Sequence, residues 1–522
     1  MGNGTDRARS AFGNDQGART YRKAVRSKQR FQKRFGDDSG AVYHLASEPV
    51  PVISDALGVR NLVLSDQGPL DIYADAASAP RPAPTSRTVP GADGRPVVVG
   101  NIRMGFGHYR ISMAMASAAR AMGYTPYWLD LASFSQSTGS KMIADQNRLY
   151  SLGSRLSQKI PLFNKLVWEP LNSEGFRKLS YNAADQKNAE LCVPLLADLD
   201  RDVPYIGTHV WPAQAAVHAG LTHVVNAIPD NWPMALHLAE GSFHTVQTPS
   251  AYLGYRQLRG MDPHRQLKPM PADALFYTGH YIDHELVENI EADCAARRER
   301  VLSGQAVRYL ISVGGAGAQQ QLFAAIVGHL LPYVRRGEAA LFINVGDHNA
   351  VWNGLVAQVD GLSSMAETHF DDFAGVAAFA SGALAGEASG VHAFCDADIF
   401  SAVYSSNVLM RCSDVLVTKP SEFSFYPVPK LMIHRVGGHE AWGAIRAAEV
   451  GDGTYEMDDT GEVLAMIDSL QADRSQIAFM CDRIEEAHRA GIYDGAYRVV
   501  DLAVHGLDST FARKVVTGDG SL

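Results

Sequence analysis

Short apolar runs alternate with amphipathic segments along much of the chain, and this alternation predicts parallel α/β units. Residues 97–100 form a β-branched run that is typical of a buried strand. A loop with two glycines follows, and apolar residues then recur at helical spacing from Ile111 to Met122. A second strand is predicted at residues 127–129. This order of elements indicates a parallel β-α-β unit with a glycine-rich first turn.

The same order of elements returns in the second half of the chain. Residues 309–313 predict a strand, residues 314–317 read Gly-Gly-Ala-Gly, and a helix and another strand follow up to residue 345. Two such units predict an α/β fold of two Rossmann-like domains that face each other across a cleft. Such a cleft suits a nucleotide-linked substrate. The alternative role of either loop is a tight turn between strand and helix.

Both glycine-containing loops are candidate ligand sites. Glycine tolerates a positive φ and lets the backbone approach a ligand closely. The helix that follows each loop presents unpaired N–H groups, which bind phosphate. The glycines concerned are Gly105, Gly107, Gly314, Gly315 and Gly317.

Polar residues stand at the predicted carboxyl ends of other strands, which is the ligand side of an open α/β sheet. Asp230 follows one strand and could act as a general base or orient a sugar, or it could cap a turn. Lys419 and Glu422 follow another strand and are candidates for phosphate and for ribose hydroxyls. A surface ion pair is their alternative role.

The ends of the chain differ from its middle. Residues 80–96 contain five prolines and predict a linker or a long surface loop. Residues 461–506 predict three short helices that either close the second domain or pack back onto the first. The predicted divisions are an arm and linker at 1–96, a first domain at 97–285, a second domain at 286–475 and C-terminal helices at 476–522.

Charge is distributed unevenly. The net charge is −9, yet residues 1–36 hold ten Lys or Arg and only two Asp, which leaves 37 basic and 54 acidic residues elsewhere. The acidic body predicts no binding of nucleic acid. Residues 19–36 predict an amphipathic helix whose aromatic face opposes a basic face, and such a helix can bind an anionic membrane surface. A helix docked on the body and a solvated tail are the alternatives.

Composition excludes several classes of protein. Hydrophobic residues make up 46% and charged residues 20%, as in ordinary globular proteins. We find no apolar run near the ~20 residues of a membrane-spanning helix and no secretory signal. The five cysteines are scattered without a C-x-x-C motif, so we expect neither a disulfide framework nor a cysteine-rich zinc site, and a reducing cytoplasm fits best.

Taken in order, these motifs resemble those of glycosyltransferases of the twin-Rossmann, or GT-B, fold. The closest groups are the monogalactosyldiacylglycerol synthases and the bacterial N-acetylglucosaminyltransferase that makes lipid II. The resemblance covers about residues 97–455, and residues 420–429, rich in proline and aromatics, replace the family's glycine-rich turn. It is carried by Gly105-Phe106-Gly107-His108, by the loop at 314–317, by the D-x-x-x-T-K pattern of Asp414 to Lys419, and by Gly438-His439-Glu440.

The resemblance implies inverting, metal-independent transfer of a sugar from a nucleotide diphosphate-sugar, often UDP-linked, to the hydroxyl of a lipid or another acceptor. No cofactor is expected. The second domain would bind the donor and the first domain the acceptor. The implied donor-binding residues are Gly314, Gly315, Gly317, Lys419, Glu422, His439 and Glu440.

On the acceptor side, the resemblance implies that His108 or Asp230 is the catalytic base. Gly105, Gly107 and Arg110 would form the acceptor-side loop, with Arg110 binding an anionic acceptor or lipid headgroup. The membrane-lipid relatives and the basic arm together predict a protein peripheral to the inner face of a membrane. Two rival functions are a UDP-sugar 2-epimerase-like enzyme, which needs no acceptor, and a non-catalytic nucleotide- or lipid-binding protein, which the altered segment 420–429 favours.

Overall fold

Two sheets of mainly parallel strands form the frame of the protein. The computed structural model describes residues 6–50, 53, 57–160, 162, 164–168, 170–314, 319–386 and 388–517. The strands are β1 (Ser10–Ala11), β2 (Asn14–Asp15), β3 (Leu45–Pro49), β4 (Arg60–Leu64), β5 (Pro96–Asn101), β6 (Thr125–Asp130), β7 (Tyr205–Gly207), β8 (Val224–Ala227), β9 (Phe243–Val246), β10 (Leu275–Tyr277), β11 (Val307–Ser312), β12 (Ala339–Asn344), β13 (Ala366–Phe370), β14 (Gly390–Cys395), β15 (Val415–Thr418) and β16 (Lys430–Met432).

Helices connect most of these strands and cover the sheets. The α-helices are α1 (Ala18–Phe35), α2 (Ile72–Ser78), α3 (Gly107–Ala121), α4 (Thr138–Lys159), α5 (Leu179–Ala189), α6 (Val210–Ala219), α7 (Pro249–Arg256), α8 (His284–Glu288), α9 (Ile290–Leu302), α10 (Gln320–Arg335), α11 (Asn349–Gln358), α12 (Leu362–Met365), α13 (Phe373–Ala385), α14 (Ile399–Cys412), α15 (Ala441–Val450), α16 (Thr460–Ala472), α17 (Ser475–Arg489), α18 (Gly495–His505) and α19 (Thr510–Thr517). Two π-helical turns, Asn164–Trp168 and Leu171–Gly175, follow α4.

Each sheet has the strand order of a Rossmann-like domain. The first sheet runs β10-β9-β8-β7-β5-β6-β4-β3 and the second runs β13-β14-β12-β11-β15-β16. In each sheet the chain adds strands first on one side of the initial strand of the Rossmann-like unit and then on its other side. This reversal of strand order lies between β5 and β7 in the first sheet and between β11 and β15 in the second. Open α/β sheets bind ligands outside the carboxyl ends of the strands at such a reversal. The predicted pair of Rossmann-like domains is confirmed.

The first sheet begins earlier in the chain than the predicted division at residue 97. Strand β4 pairs in parallel with β6, and β3 pairs with β4 in antiparallel register. Strands β3 and β4 therefore belong to the first domain and not to an arm or linker. The short apolar run of β4 gives little local signal, because the pairing that makes it a strand is with β6, some sixty residues further on.

Helix α1 lies against the first domain. It packs on α5 and α4, and Phe31, only 1% exposed, joins the apolar cluster beneath the first sheet. Its basic residues bind acidic partners on the body, Lys28 to Glu190 at 2.7 Å and Arg34 to Asp145 at 2.9 Å. Of the alternatives for this helix, the structure shows the one in which it docks on the body of the protein. Phe31, on the aromatic face of α1, is covered by the first domain.

The C-terminal helices serve both domains. Helix α17 packs on α9 of the second domain, whereas α18 packs on α3, β7 and β8 of the first. The chain therefore crosses between the domains twice. At the crossings the His280 N–H donates to the Ile492 carbonyl at 2.6 Å, and the Gly495 N–H donates to the His280 carbonyl at 3.0 Å.

Cysteines and membrane-spanning helices are two further features on which the structure bears. All five cysteines are free thiols. Among the helices that the structure describes, none has the length and apolar character needed to span a bilayer.

We expect Phe31→Ala to lower the free energy of unfolding by about 3–5 kcal/mol, because the ring is buried where α1 docks. Denaturant unfolding checks this value. The control is Arg26→Ala on the exposed face of the same helix, which should change stability by no more than about 0.5 kcal/mol. Equal small effects would contradict the docked position of α1.

Candidate functional site

The loops that follow β5, β7, β8 and β15 meet at the cleft between the sheets. Gly105 lies in the loop after β5 with φ 76°, a conformation that glycine adopts without strain. The loop after β11 begins at Gly314, which the structure describes, whereas Gly315 and Gly317 lie outside the described residues. Sheet topology thus brings the described parts of these loops towards one place.

An apolar pocket of about 290 Å³ opens in the first domain beside this meeting point. One wall comes from α4 and the π-helical turns, including Leu149, Tyr150 and Trp168. Its polar groups are His108, His209, Asp230 and His237, together with Gln146 and the hydroxyl of Tyr181. A mainly apolar cavity with a few convergent polar groups is typical of a small-molecule site.

His108 lies in the first turn of α3 with a defined tautomer. Its Nδ1 is 2.8 Å from the Thr208 carbonyl oxygen, which only accepts, so Nδ1 carries the proton and Nε2 keeps its lone pair. Burial lowers the pKa of His108 below 6.5, although the Thr208 hydrogen bond and the charges of Glu422 and Asp230 act in the opposite direction. The neutral ring can therefore accept a proton near neutral pH.

Asp230 belongs to two cavities at once. It lines the apolar pocket and also a cavity of about 60 Å³ between the domains, which Ser421, Glu422 and Glu440 of the second domain line as well. Its carboxylate is 3.0 Å from Nε2 of the buried His237. Asp230 thus stands where a group held in the first domain can meet a group held in the second.

Lys419 lies beside Gly314, the first residue of the predicted phosphate-binding loop. A Cβ added at Gly314 would be 3.3 Å from Lys419 Cε, so the lysine stem runs directly over this glycine. The ammonium group pairs with Glu440. Burial alone would lower the pKa of Lys419, but the charges of Glu440 and Glu422 outweigh it and raise the pKa above its usual value. Lys419 is therefore a permanent cation beside the loop.

Glu440 also accepts hydrogen bonds from the backbone. Its Oε2 accepts the N–H groups of Val436 and Gly437 at 2.8 and 3.1 Å. The carboxylate thereby holds the turn before α15 and the Lys419 ammonium at the same time. His439 lies in that turn, Gly438–Glu440, and its side chain lies outside the described residues.

Glu422 belongs to the second domain, but its side chain extends across the cleft to the first domain. A Cβ at Gly107 would collide with its carboxylate, so the carboxylate sits on the N-terminus of α3. A negative charge at a helix N-terminus is stabilised by the unpaired N–H groups and the helix dipole. A side chain at position 107 would displace the Glu422 carboxylate from this place.

Arg110 does not line either cavity. It is 3% exposed, and its guanidinium lies 3.8 Å from the ring centroid of Phe423 in the second domain. It also donates to the Val403 carbonyl at 3.4 Å. The structure therefore gives Arg110 a place in the domain interface, whereas the sequence predicted contact with an anionic acceptor.

Asp414, the first residue of the D-x-x-x-T-K pattern, is fully buried below the site. Its carboxylate accepts the Arg300 guanidinium at 2.7 Å and the Arg308 backbone N–H at 3.0 Å. This pairing ties β15 to β11 and so fixes the position of Lys419 relative to Gly314.

Sequence reasoning missed two histidines of the pocket as functional candidates. His209 follows β7, and its ring centroid is 4.8 Å from that of His108. His237 holds Asp230. A signal for His209 was available, since it lies two residues after β7, the strand next to β5 at the reversal of the sheet. No local signal marks His237, which lies in a short 3-10 turn.

Two family models match the chain in tandem. Residues 10–257 match a domain of unknown function (DUF6937), and residues 270–504 match a second domain of unknown function (DUF6938). The boundary between the two models falls just before β10. Among curated proteins, no relative matches the chain.

Solved structures with a similar course of the chain include nucleotide-sugar enzymes. UDP-GlcNAc 2-epimerase from Neisseria meningitidis is 12% identical, covers 78% of this chain and 98% of its own, and has a TM-score of 0.40. WaaG, a glycosyltransferase involved in lipopolysaccharide biosynthesis, is 12% identical over 78% of this chain and 100% of its own, with a TM-score of 0.38. An α,α-trehalose-phosphate synthase from Burkholderia vietnamiensis is 12% identical over 81% and 99%, with a TM-score of 0.37.

We expect the His108 ring to be neutral, with its proton on Nδ1, and to become charged only below pH 6.5, because burial disfavours the imidazolium. Nitrogen NMR of histidine-labelled protein measures both the tautomer and the midpoint. His108→Gln identifies the signal by its loss. A proton on Nε2, or a midpoint at or above 6.5, would contradict this geometry.

Proposed function

We propose that the protein is a glycosyltransferase that moves a sugar from a nucleotide diphosphate-sugar to the hydroxyl of an apolar acceptor. The observation that carries the proposal is the position of Asp230, which lines both the apolar pocket and the cavity between the domains. A transferase needs two substrates whose reacting atoms meet, and two cavities that share one carboxylate supply that arrangement.

The donor side is proposed around the loop after β11. The diphosphate would lie at this loop and at the N-terminus of α10, with Lys419 beside Gly314. A lysine and a helix N-terminus can stabilise a leaving diphosphate without a metal ion. We propose a UDP-linked donor, with Glu422 and Glu440 on the side of the ribose and sugar.

The chemical step is proposed as a single displacement with inversion. His108 Nε2 takes the proton from the acceptor hydroxyl, and the acceptor oxygen forms a bond to the anomeric carbon. The bond from that carbon to the diphosphate oxygen breaks, and its electron pair leaves with the diphosphate. Asp230, held by His237, orients the acceptor hydroxyl between the two cavities. The unprotonated Nε2 of His108 is what supports its role as the base.

We propose a membrane lipid as the acceptor. The pocket wall continues into an exposed apolar segment, residues 149–171, which holds eight of the sixteen large hydrophobic side chains that the structure describes as exposed. Residues 141–178 also contain seven basic and three acidic residues in a chain of net charge −9. Apolar side chains and surrounding basic residues together suit an anionic lipid surface.

The sequence predicted membrane binding through residues 19–36 alone. We propose that residues 149–171 are the main membrane-binding surface instead. Helix α1 packs beside α4, and its exposed basic face lies on the same part of the first domain. We propose peripheral binding at the inner face of a membrane, with residues 149–171 in the interface and α1 adding charge.

An epimerase acts on the donor alone and would leave the apolar pocket without a ligand. The size of that pocket, about 290 Å³, therefore favours the transferase over the epimerase-like alternative. The same pocket, with His108 aimed into it, also favours turnover over a purely non-catalytic role.

We expect His108→Gln to lower kcat about 10²–10⁴-fold, the usual worth of general-base catalysis, and to leave the affinity for UDP unchanged. Lys419→Met should have the opposite profile, with UDP binding weakened about 10–100-fold because a charge-assisted contact is lost. Calorimetry with UDP and a transfer assay with UDP-sugars and lipid acceptors measure the two effects.

Equal loss of both properties in His108→Gln would remove His108 from the role of base. If UDP, GDP, ADP and CMP all fail to bind or to stabilise the native chain against heat, the nucleotide-sugar proposal is wrong.

We expect Leu162→Ser/Leu166→Ser to lower binding to anionic vesicles at least about tenfold, because each exposed leucine contributes apolar area to the interface. Sedimentation with phosphatidylglycerol vesicles measures this. The matched control is Leu302→Ser/Leu507→Ser, two exposed leucines outside the segment. If both double variants bind as the native chain does, residues 149–171 are not the membrane surface.

A further inference from the structure

Three potential metal ligands converge at the outer edge of the second sheet. Glu367 and His369 lie two residues apart on the edge strand β13 and so share one face of it. His392 lies on the neighbouring strand β14, directly opposite Glu367 in the register. The topology thus gathers two imidazoles and a carboxylate on one patch of the sheet.

The distances within this cluster are short. His369 Nε2 is 3.3 Å from His392 Nδ1. The Glu367 carboxylate oxygens lie 3.8 Å from the former nitrogen and 3.7 Å from the latter. All three candidate ligand atoms fall within 4.8 Å of one another.

The ring of His392 is fixed in the orientation that a metal ligand needs. Its Nε2 is 3.0 Å from the Ser389 carbonyl oxygen, which only accepts, so Nε2 carries the proton and Nδ1 presents a lone pair to His369. Metal-binding histidines usually donate their other N–H to a carbonyl or carboxylate in this way.

Aromatic neighbours hold both imidazoles in place. The His369 ring stacks on Phe394 with centroids 4.9 Å apart and an angle of 11°. Phe379 of α13 contacts His392 with centroids 4.2 Å apart. The two histidine side chains are only 11% and 13% exposed, whereas Glu367 is 69% exposed and can adjust.

We propose that Glu367, His369 and His392 bind one divalent transition-metal ion of the zinc class. Two nitrogens bound to zinc at 2.0–2.1 Å with a tetrahedral angle are about 3.3 Å apart, which is the separation of the two ring nitrogens here. A small rotation of Glu367 brings its oxygen to the same ion, and water completes the fourth position. On binding, His369 carries its proton on Nδ1, so that Nε2 can coordinate.

A second group of three ligands, His434, Glu456 and Asp458, is a weaker candidate. Glu456 already accepts the Arg435 guanidinium at 2.6 Å and the Arg435 backbone N–H at 2.8 Å. His434 is 51% exposed and 3.6 Å from the same carboxylate. A cation there would have to displace an existing ion pair.

The proposed ion has a structural role and is independent of the proposed transferase reaction. Strands β14, β12 and β11 separate β13 from β15, which leads to Lys419. The ion would join the edge strand β13 to the neighbouring strand β14 and would thus stabilise the edge. Its loss would leave binding of UDP at the cleft unchanged.

The test uses the full chain, freed of any histidine tag and treated with EDTA. We expect one equivalent of Zn²⁺ to bind in calorimetry, Co²⁺ to give the visible absorption of a tetrahedral site, and Zn²⁺ to raise the melting temperature. His369→Gln and His392→Gln should each weaken Zn²⁺ binding at least about 100-fold.

His434→Gln is the matched control and should bind Zn²⁺ as the native chain does, and all three variants should keep the native far-UV circular dichroism. The proposal is overturned if Zn²⁺ does not bind, if His369→Gln and His392→Gln bind it unchanged, or if His434→Gln alone abolishes binding. UDP affinity is measured in the same samples. Because the ion lies away from the cleft, UDP affinity tests the transferase proposal independently of Zn²⁺ binding.

Discussion

A buried guanidinium at the domain boundary, that of Arg110, fixes how the two halves of the protein face each other. It extends from α3 of the first domain to the Phe423 ring of the second. Nearby, the Tyr426 hydroxyl donates to the buried carboxylate of Asp283 at 3.0 Å. A buried charge is tolerated only in a closely defined set of partners, so this contact selects one relative position of the sheets. His108 lies two residues before Arg110 on the same helix, and the interface therefore also sets the position of the proposed base.

The properties of the site follow from where strands end and not from any single motif. Parallel strands bring their carboxyl ends to one edge, and two sheets that face each other bring two such edges to one cleft. His108, Asp230 and Lys419 follow three different strands of two sheets, His108 in the first turn of a helix and the other two in loops. The apolar wall of the pocket removes water from His108, and the loss of hydration keeps its ring neutral.

Local patterns predicted the two Rossmann-like domains and a helix over residues 19–36, which lies at residues 18–35 in the structure, because each depends on periodicity or on strand order. They did not predict that β3 and β4 join the first sheet, since edge pairing is decided by a remote partner. Arg110 was expected to contact an anionic acceptor, yet it lies at the domain interface, and Glu422 lines the cavity between the domains while its carboxylate also reaches the N-terminus of α3. A charged residue after a strand looks the same in sequence whether it contacts a ligand or another domain. Only the packing of the domains decides which of the two it contacts.

The paired crossings between the domains determine what kind of motion the cleft permits. Residues 279–280 and 492–495 run side by side and are hydrogen-bonded to each other, so any rotation of one domain against the other turns about a hinge axis through them. Groups near this axis, including His280, whose Nδ1 hydrogen-bonds the Phe425 carbonyl at 3.0 Å, move little. The far rim, where Arg103 pairs with Asp347 at 2.6 Å and Phe106 packs against Gly346, moves most. Separation of the domains at this rim would break these contacts together with the ring contacts of Phe106 with His348 and of Trp232 with Trp442, whereas the hydrogen bonds between the two crossings could remain.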